Sequence, residues 1–271
     1  MTVEIIIAIH KPCAIPQELA SDGAYIPLFV GASNSKPLFI KGTEVIRPEG
    51  EAPSGFSPMR RDDSGVNISE RNPGFCELTG LYWLCKNSSA EALGLVHYRR
   101  YFKELSKDRI EKLLLAHDAI VPGKRRYYIE TLYSHYANTL DGAHLDEALS
   151  VIRERHPEYE HAAVEVYNRT WGYMFNMLVM KRDSFLKYCD FLFDILFELE
   201  KRPLPGQNGS AFERRLYGRV SEILFNVWLE KHKDLSIVEI PVKSTERVNW
   251  LKKGSAFLSA KFFKKKYKES F

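Results

Sequence analysis

The stretch Leu93-Gly-Leu-Val-His-Tyr-Arg-Arg-Tyr-Phe102 decides the fold class. Residues 92–96 form an unbroken apolar run, the pattern of a strand covered on both faces. The run ends abruptly in His97, Tyr98, Arg99, Arg100 and Tyr101. In an open α/β sheet, ligands sit outside the carboxyl ends of the strands. Two adjacent guanidiniums flanked by aromatic rings at such an end suit a phosphorylated, ring-containing ligand. The alternative is a strand running into a solvated turn.

Toward the N-terminus, Val3–Ile9 is a second continuous, β-branched run, stopped at His10-Lys11-Pro12 where proline blocks continuation. Residues 24–30 read as a strand ended by Gly31, and residues 32–66, rich in Gly, Pro and Ser, read as one long loop. Asn72-Pro73 predicts a helix start, with Asn as cap and Pro at the first helical position, running on to Lys86-Asn87. Toward the C-terminus the pattern predicts a helix over 108–116, a short strand over 118–121 and mainly helix over 124–170, broken at His156-Pro157. Residues 173–180 read as a strand, 184–200 as a helix capped by Asp183, 210–231 as a helix with one apolar face, and Ile237–Ile240 as a last strand. This order predicts an α/β fold: a Rossmann-like, mostly parallel sheet flanked by helices, with a helix-rich second half.

The chain has 271 residues, 45% of them hydrophobic, enough for one large domain or two intimately packed halves. Residues 1–250 are taken as a single domain and 251–271 as a basic, aromatic tail. No segment approaches the ~20 apolar residues that cross a bilayer. The opening strand is too short and too acidic for a secretory signal, so a cytoplasmic protein is expected. Cys13, Cys76, Cys85 and Cys189 are scattered without a CxxC pair, which signals neither a zinc knuckle nor a disulfide framework. Residues 251–271 carry seven lysines and one glutamate, so the net charge of +4 leaves the remaining 250 residues at −2. A nucleic-acid-binding domain more often spreads its basic residues over a folded face, so no nucleic acid is expected. The lysines and phenylalanines of the tail suit an anionic membrane surface instead.

Several residues could carry chemistry. Lys11 can meet a phosphate as a point charge, and His10 beside it and His97 both sit at strand ends that converge on one crevice. The Asp62-Asp63-Ser64-Gly65-Val66-Asn67-Ile68-Ser69 stretch can hold a ribose or sugar hydroxyl, or one ligand of a divalent ion. Arg219, Glu222 and Asn226 share one helix face by spacing, where Glu222 could act as a general base. The plainer reading there is a surface Arg–Glu pair.

The chain resembles a family of glycosyltransferases encoded in bacterial capsule, exopolysaccharide and O-antigen loci and long classed as a domain of unknown function. The resemblance runs through His10-Lys11-Pro12, Asn67-Ile68-Ser69-Glu70 and Cys76-Glu77-Leu78-Thr79 with Tyr82-Trp83. It continues through Gly94 to Phe102, Asn176-Met177, Tyr188-Cys189, Phe193-Asp194-Ile195-Leu196 and Glu222-Ile-Leu-Phe-Asn-Val-Trp228. It implies a GT-A-like fold and transfer of a hexosyl group, galactosyl or galactofuranosyl first, from a nucleoside diphosphate sugar, UDP first. The implied acceptor is a lipid-linked saccharide, and the implied location is the cytoplasm or the inner face of the cell membrane. His10, Lys11, Asp63, Asn67, Tyr98 and Asn176 are the expected donor-binding residues, and Glu222, Arg99, Arg100 and His97 the expected catalytic ones. No DxD follows a strand, so no metal is required on this reading, although a divalent ion such as manganese stays open. Arg99 and Arg100 would then meet the charge growing on the leaving diphosphate. Where the family often shows Asp, this chain has Val66, which weighs against an ion in that loop. The rival is a non-catalytic nucleotide- or polyanion-binding module that docks through its basic tail.

Overall fold

The computed structural model describes residues 1–245; the basic tail, 251–271, lies outside the described residues. The chain forms two compact units. The first comprises Met1–Gly123, Asn176–Cys189 and Leu235–Thr245; the described part of the second comprises Lys124–Phe175 and Asp190–Asp234.

The first unit is built on a nine-stranded sheet. Seven strands lie side by side in the order Ile237–Ile240, Ala119–Pro122, Leu178–Lys181, Ala92–His97, Val3–Ile9, Tyr25–Phe29 and Arg60–Arg61. Only the two pairings made by Leu178–Lys181 are antiparallel, so the other six strands run in one direction. Arg100–Phe102 and Val242–Ser244 extend the sheet as antiparallel ribbons beyond the end of Ala92–His97. Ile5, Ile6 and Ile7 are all buried, as are Leu93, Leu95 and Val96. Successive strand residues face opposite sides, so both faces are covered, as the apolar runs predict. Helix Leu78–Asn87 packs on Val3–Ile9 and Ala92–His97, and Lys107–Ala116 packs on Ala119–Pro122. A Cβ at Gly94 would lie 2.7 Å from the Leu178 carbonyl oxygen, so a side chain there would force the antiparallel strand away.

The second unit is mainly helical: Leu132–Thr139, Ala143–Arg155, Glu160–Asn168, Leu216–Lys231 and the C-terminal half of Arg182–Glu200. The predicted break at His156-Pro157 is a 3-10 turn, Pro157–Tyr159. Asp194 accepts from Arg155 Nε and His156 Nε2, both at 2.8 Å, which ties that turn to the long helix. No helix among the described residues is long and apolar enough to cross a membrane.

Five expectations are corrected. Asp183 does not cap the long helix, which begins at Arg182 and holds Asp183 in its first turn. Residues 32–66 are not one loop. Phe39–Lys41, Glu44–Ile46 and Ser57–Pro58 join Cys13–Ala14 in a small antiparallel sheet, and Arg60–Arg61 enters the main one. These strands are two or three residues long, too short for periodicity to register. Asn72 is not the helix cap: it opens a single turn, Asn72–Phe75, that Cys76 breaks at φ 53° before Leu78–Asn87 begins. Residues 173–180 are not one strand, because Phe175 (φ 78°) and Asn176 (φ 52°) turn the chain between Trp171–Gly172 and Leu178–Lys181. The apolar pattern continues through the turn because Tyr173, Met174 and Met177 are buried. The helix predicted over 210–231 breaks at Arg215 into Ala211–Arg214 and Leu216–Lys231, with Ser210 and Glu213 forming a capping box.

Candidate functional site

The sheet register gathers most of the expected residues at one edge of the first unit. Ala8 pairs with His97, Ile9 with Phe29, and Phe29 with Arg61. The segments that follow these strands therefore leave the same edge: His10-Lys11, Gly31, Asp62-Asp63 and Tyr98-Arg99. Leu178 pairs with Leu95 on a strand running the other way, so Asn176, two residues earlier, arrives at that edge too. Glu222 belongs to the second unit.

His97 pairs with Arg100 across a two-residue turn, so Tyr98 and Arg99 form its tip. Tyr98 is buried, and its ring meets that of His10 edge-on at 5.8 Å. The Arg99 guanidinium carbon lies 5.4 Å from the Tyr98 ring centre. Thr245 N donates to the Arg99 carbonyl at 3.0 Å, which fixes the turn through its main chain. Both guanidinium-bearing residues are half-buried, while His10 and Lys11 are exposed. A cationic, aromatic-backed turn at a strand end is suited to an anion attached to a ring.

The two neighbouring carboxylates behave differently. Asp62 is fully buried and accepts from Gly31 N at 2.9 Å, Ala32 N at 3.1 Å, Thr79 Oγ1 at 2.6 Å and the Ser69 hydroxyl. Gly31 turns there at φ 71°, where a Cβ would stand 2.5 Å from the Asn72 side chain. Asp62 therefore holds the loops together. Asp63 is half-buried and bound by Arg61, whose Nε donates at 2.9 Å and whose Nη2 donates to the second oxygen. The Arg61 guanidinium holds the Asp63 carboxyl below its ordinary value. Asn67 folds onto its own loop: Oδ1 accepts from Ser69 N at 3.2 Å and Nδ2 donates to Gly65 O at 3.0 Å.

Asn176 is buried, and its Nδ2 donates to Glu77 Oε1 at 2.7 Å. Asn tolerates the left-handed conformation better than other residues with side chains, so its place in the turn has a backbone reason as well. Glu77 was not among the expected site residues; its signals were its place at the start of an apolar helix and within the Cys76-Glu77-Leu78-Thr79 block of the family resemblance.

In the second unit, Glu222 lies half-buried on Leu216–Lys231. Burial pushes the Tyr136 hydroxyl well above its ordinary value, with Glu222 adding to the rise and Arg219 opposing it. Asn226 meets Glu222 at its main chain, Nδ2 donating to the Glu222 carbonyl at 2.7 Å. It is fully buried, with Oδ1 accepting from Tyr173 N at 2.8 Å and Arg169 Nη2 at 3.0 Å, and Nδ2 donating to Tyr173 O at 2.8 Å. Arg219 covers the Phe212 ring at 3.9 Å and donates to the Phe212 carbonyl at 2.6 Å. Among the described residues, no group of three or more His, Cys, Asp or Glu side chains is placed to hold a metal ion.

The fold is similar to that of ligand-free WbbM, described as a bifunctional glycosyltransferase, with a TM-score of 0.77 and 27% sequence identity. The match covers 91% of this chain and 46% of WbbM, so this chain spans about half the length of that protein. No curated protein matches the chain. Residues 4–233 match DUF4422, a domain of unknown function. With nearly all of its described length matched, the chain belongs to the DUF4422 family.

Proposed function

We propose that this chain is a glycosyltransferase that moves a hexosyl group from a nucleoside diphosphate sugar to a hydroxyl of a lipid-linked saccharide. A uridine diphosphate donor carrying galactose, as pyranose or furanose, is the first choice. The setting would be capsule, exopolysaccharide or O-antigen assembly at the inner face of the cell membrane. The observation that carries this reading is the Tyr98-Arg99 turn at the edge where the strand ends of the first unit converge. The likeness to half of a glycosyltransferase supports the same class.

The proposed division of labour follows the charges. As the bond from the sugar to the diphosphate breaks, the leaving group gains negative charge. Arg99 and Arg100 stabilise it, and preorganised cations are most effective where charge develops. His10, Lys11, Asp63 and Asn67 hold the nucleotide, Asp63 with its charge shared by Arg61. His97 and Tyr98 shape the sugar pocket, and Asn176 faces the donor or the acceptor. Glu222 is assigned as general base for the acceptor hydroxyl on its sequence pattern. Leaving-group stabilisation by guanidinium requires no divalent ion. The lysines of residues 251–271 would add contact with anionic lipid.

Incubation with a panel of nucleotide sugars and an extract containing lipid-linked acceptor, read by mass spectrometry, tests the proposal. The expected result is consumption of one donor, to a similar extent with manganese and with a chelator. Every donor remaining intact, while nucleotides still bind by calorimetry, would leave the binding-module reading in its place.

A further inference from the structure

The segment Lys124-Arg-Arg-Tyr-Tyr-Ile129 follows the sheet strand Ala119–Pro122 and has no part in the reading above. It sets three consecutive cations before two aromatic rings and an isoleucine. Lys124, Arg126, Tyr128 and Ile129 are exposed, Tyr128 at 83% and Ile129 at 61%. Adjacent large apolar side chains left this far in water mark an interaction surface more readily than scattered ones do.

The segment is a presented tip rather than a slack loop. Arg125–Arg126 pairs with Trp171–Gly172, and Tyr127 N donates to Thr170 O at 2.8 Å. Ile129 N donates to Tyr127 O at 2.6 Å, folding the chain about Tyr128 at φ 55°. A tyrosine in that region is uncommon and is held there by its surroundings. Behind the tip, buried Glu130 accepts from His135 Nδ1 at 2.8 Å and Asn138 Nδ2 at 2.9 Å. The Tyr127 ring lies 4.2 Å from that of His135. Glu130, the nearest carboxylate in sequence, is thus engaged away from the tip. Arg169, next to the pairing strand, is already matched by Glu230 at 3.0 Å.

We propose that this tip docks the protein on an anionic phospholipid surface. Tyr128 and Ile129 enter the headgroup layer while Lys124, Arg125 and Arg126 meet lipid phosphates. A soluble phosphate compound would satisfy the cations but leave the two apolar side chains in water. A bilayer interface satisfies both, because tyrosine settles at headgroup level and basic residues gain from the negative surface. The proposal rests on the proposed function only in that a lipid-linked acceptor resides at such a surface, and it is read without any transfer reaction.

The test uses the full chain and vesicles of phosphatidylcholine with or without phosphatidylglycerol. The double substitution Arg125→Gln, Arg126→Gln should weaken binding to the anionic vesicles by about 30-fold, at ~1 kcal/mol per basic residue. Its thermal midpoint should stay at the wild-type value. An environment-sensitive fluorophore on Ile129→Cys should shift to the blue with anionic vesicles and not with neutral ones. Unchanged vesicle affinity in the double variant, or no shift at position 129, overturns the proposal; vesicle binding that persists in either case is assigned to residues 251–271. A shift produced by a lipid-free protein extract overturns it in favour of a protein partner. Failure of donor turnover alone bears on the proposed function and leaves these vesicle readouts unaffected.

Discussion

Asn176 Nδ2 donates to Glu77 Oε1 at 2.7 Å, joining the approach to the antiparallel strand to the start of helix Leu78–Asn87 across 99 residues of sequence. Asn176 does this from a left-handed backbone, at φ 52°. Two separable effects follow on substitution. Asn176→Gly should lose the hydrogen bond to Glu77, about 1–3 kcal/mol for a part-buried polar pair to a charged acceptor, along with the packing of the buried side chain. Asn176→Ala should lose about 1 kcal/mol more, because alanine strains at positive φ. Urea unfolding of both variants checks the ordering; equal midpoints would mean the backbone strain is absent.

Asp62 and Thr79 form a second buried link, at 2.6 Å, with Gly31 N and Ala32 N on the same carboxylate. Asp62→Ala would leave several buried donors without an acceptor. A loss of at least about 3 kcal/mol is expected, since each unsatisfied buried group costs ~1–3 kcal/mol. Asp63→Ala, one residue on, should cost far less stability and should instead weaken nucleotide binding. Chemical denaturation with calorimetric titration of uridine diphosphate separates the two roles.

Arg99→Ala and Arg100→Ala should each lower turnover by roughly 10- to 1000-fold, as removal of a donor to developing charge does elsewhere. Folding should survive, because the main-chain oxygen of Arg99 accepts from Thr245 N. Steady-state rates beside thermal midpoints give the answer; wild-type rates in both variants would remove the proposed leaving-group role. Glu222→Gln should lower kcat while leaving the donor dissociation constant near wild type, as loss of a general base requires.

The Arg61–Asp63 pair predicts a pH dependence. Arg61 holds the Asp63 carboxyl below its ordinary value in the folded chain. Its stabilising contribution is therefore fully present above the unfolded-state value, near pH ~4. It fades as pH falls through the lower folded-state value. The stability difference between wild type and Asp63→Asn should be constant from neutral pH down to about pH 5 and shrink below that. Denaturant midpoints taken across the acid range measure it.

Burial on both faces is written directly into a chain as continuous apolar runs, so Val3–Ile9 and Ala92–His97 were legible from residues alone. So was the change to cations and rings at their ends, because solvent contact begins where the sheet stops. Residue chemistry alone could not tell Asp62 from Asp63; only the family resemblance singled out Asp63. They are the same chemical group at successive positions, and only Gly31, Ser69, Thr79 and Arg61 make one a buried clamp and the other an ion-paired edge residue. Asn226 looked like a partner of Glu222 by helical spacing, yet the Tyr173 main chain claims it. The reversed direction of Leu178–Lys181 and the turn at Asn176 were likewise invisible, since apolar patterning records burial and carries no strand direction and no sign of φ. Local chemistry thus determined which segments become strands and where polar groups cluster. Contacts between residues tens of positions apart decided which of those groups are committed to holding the fold.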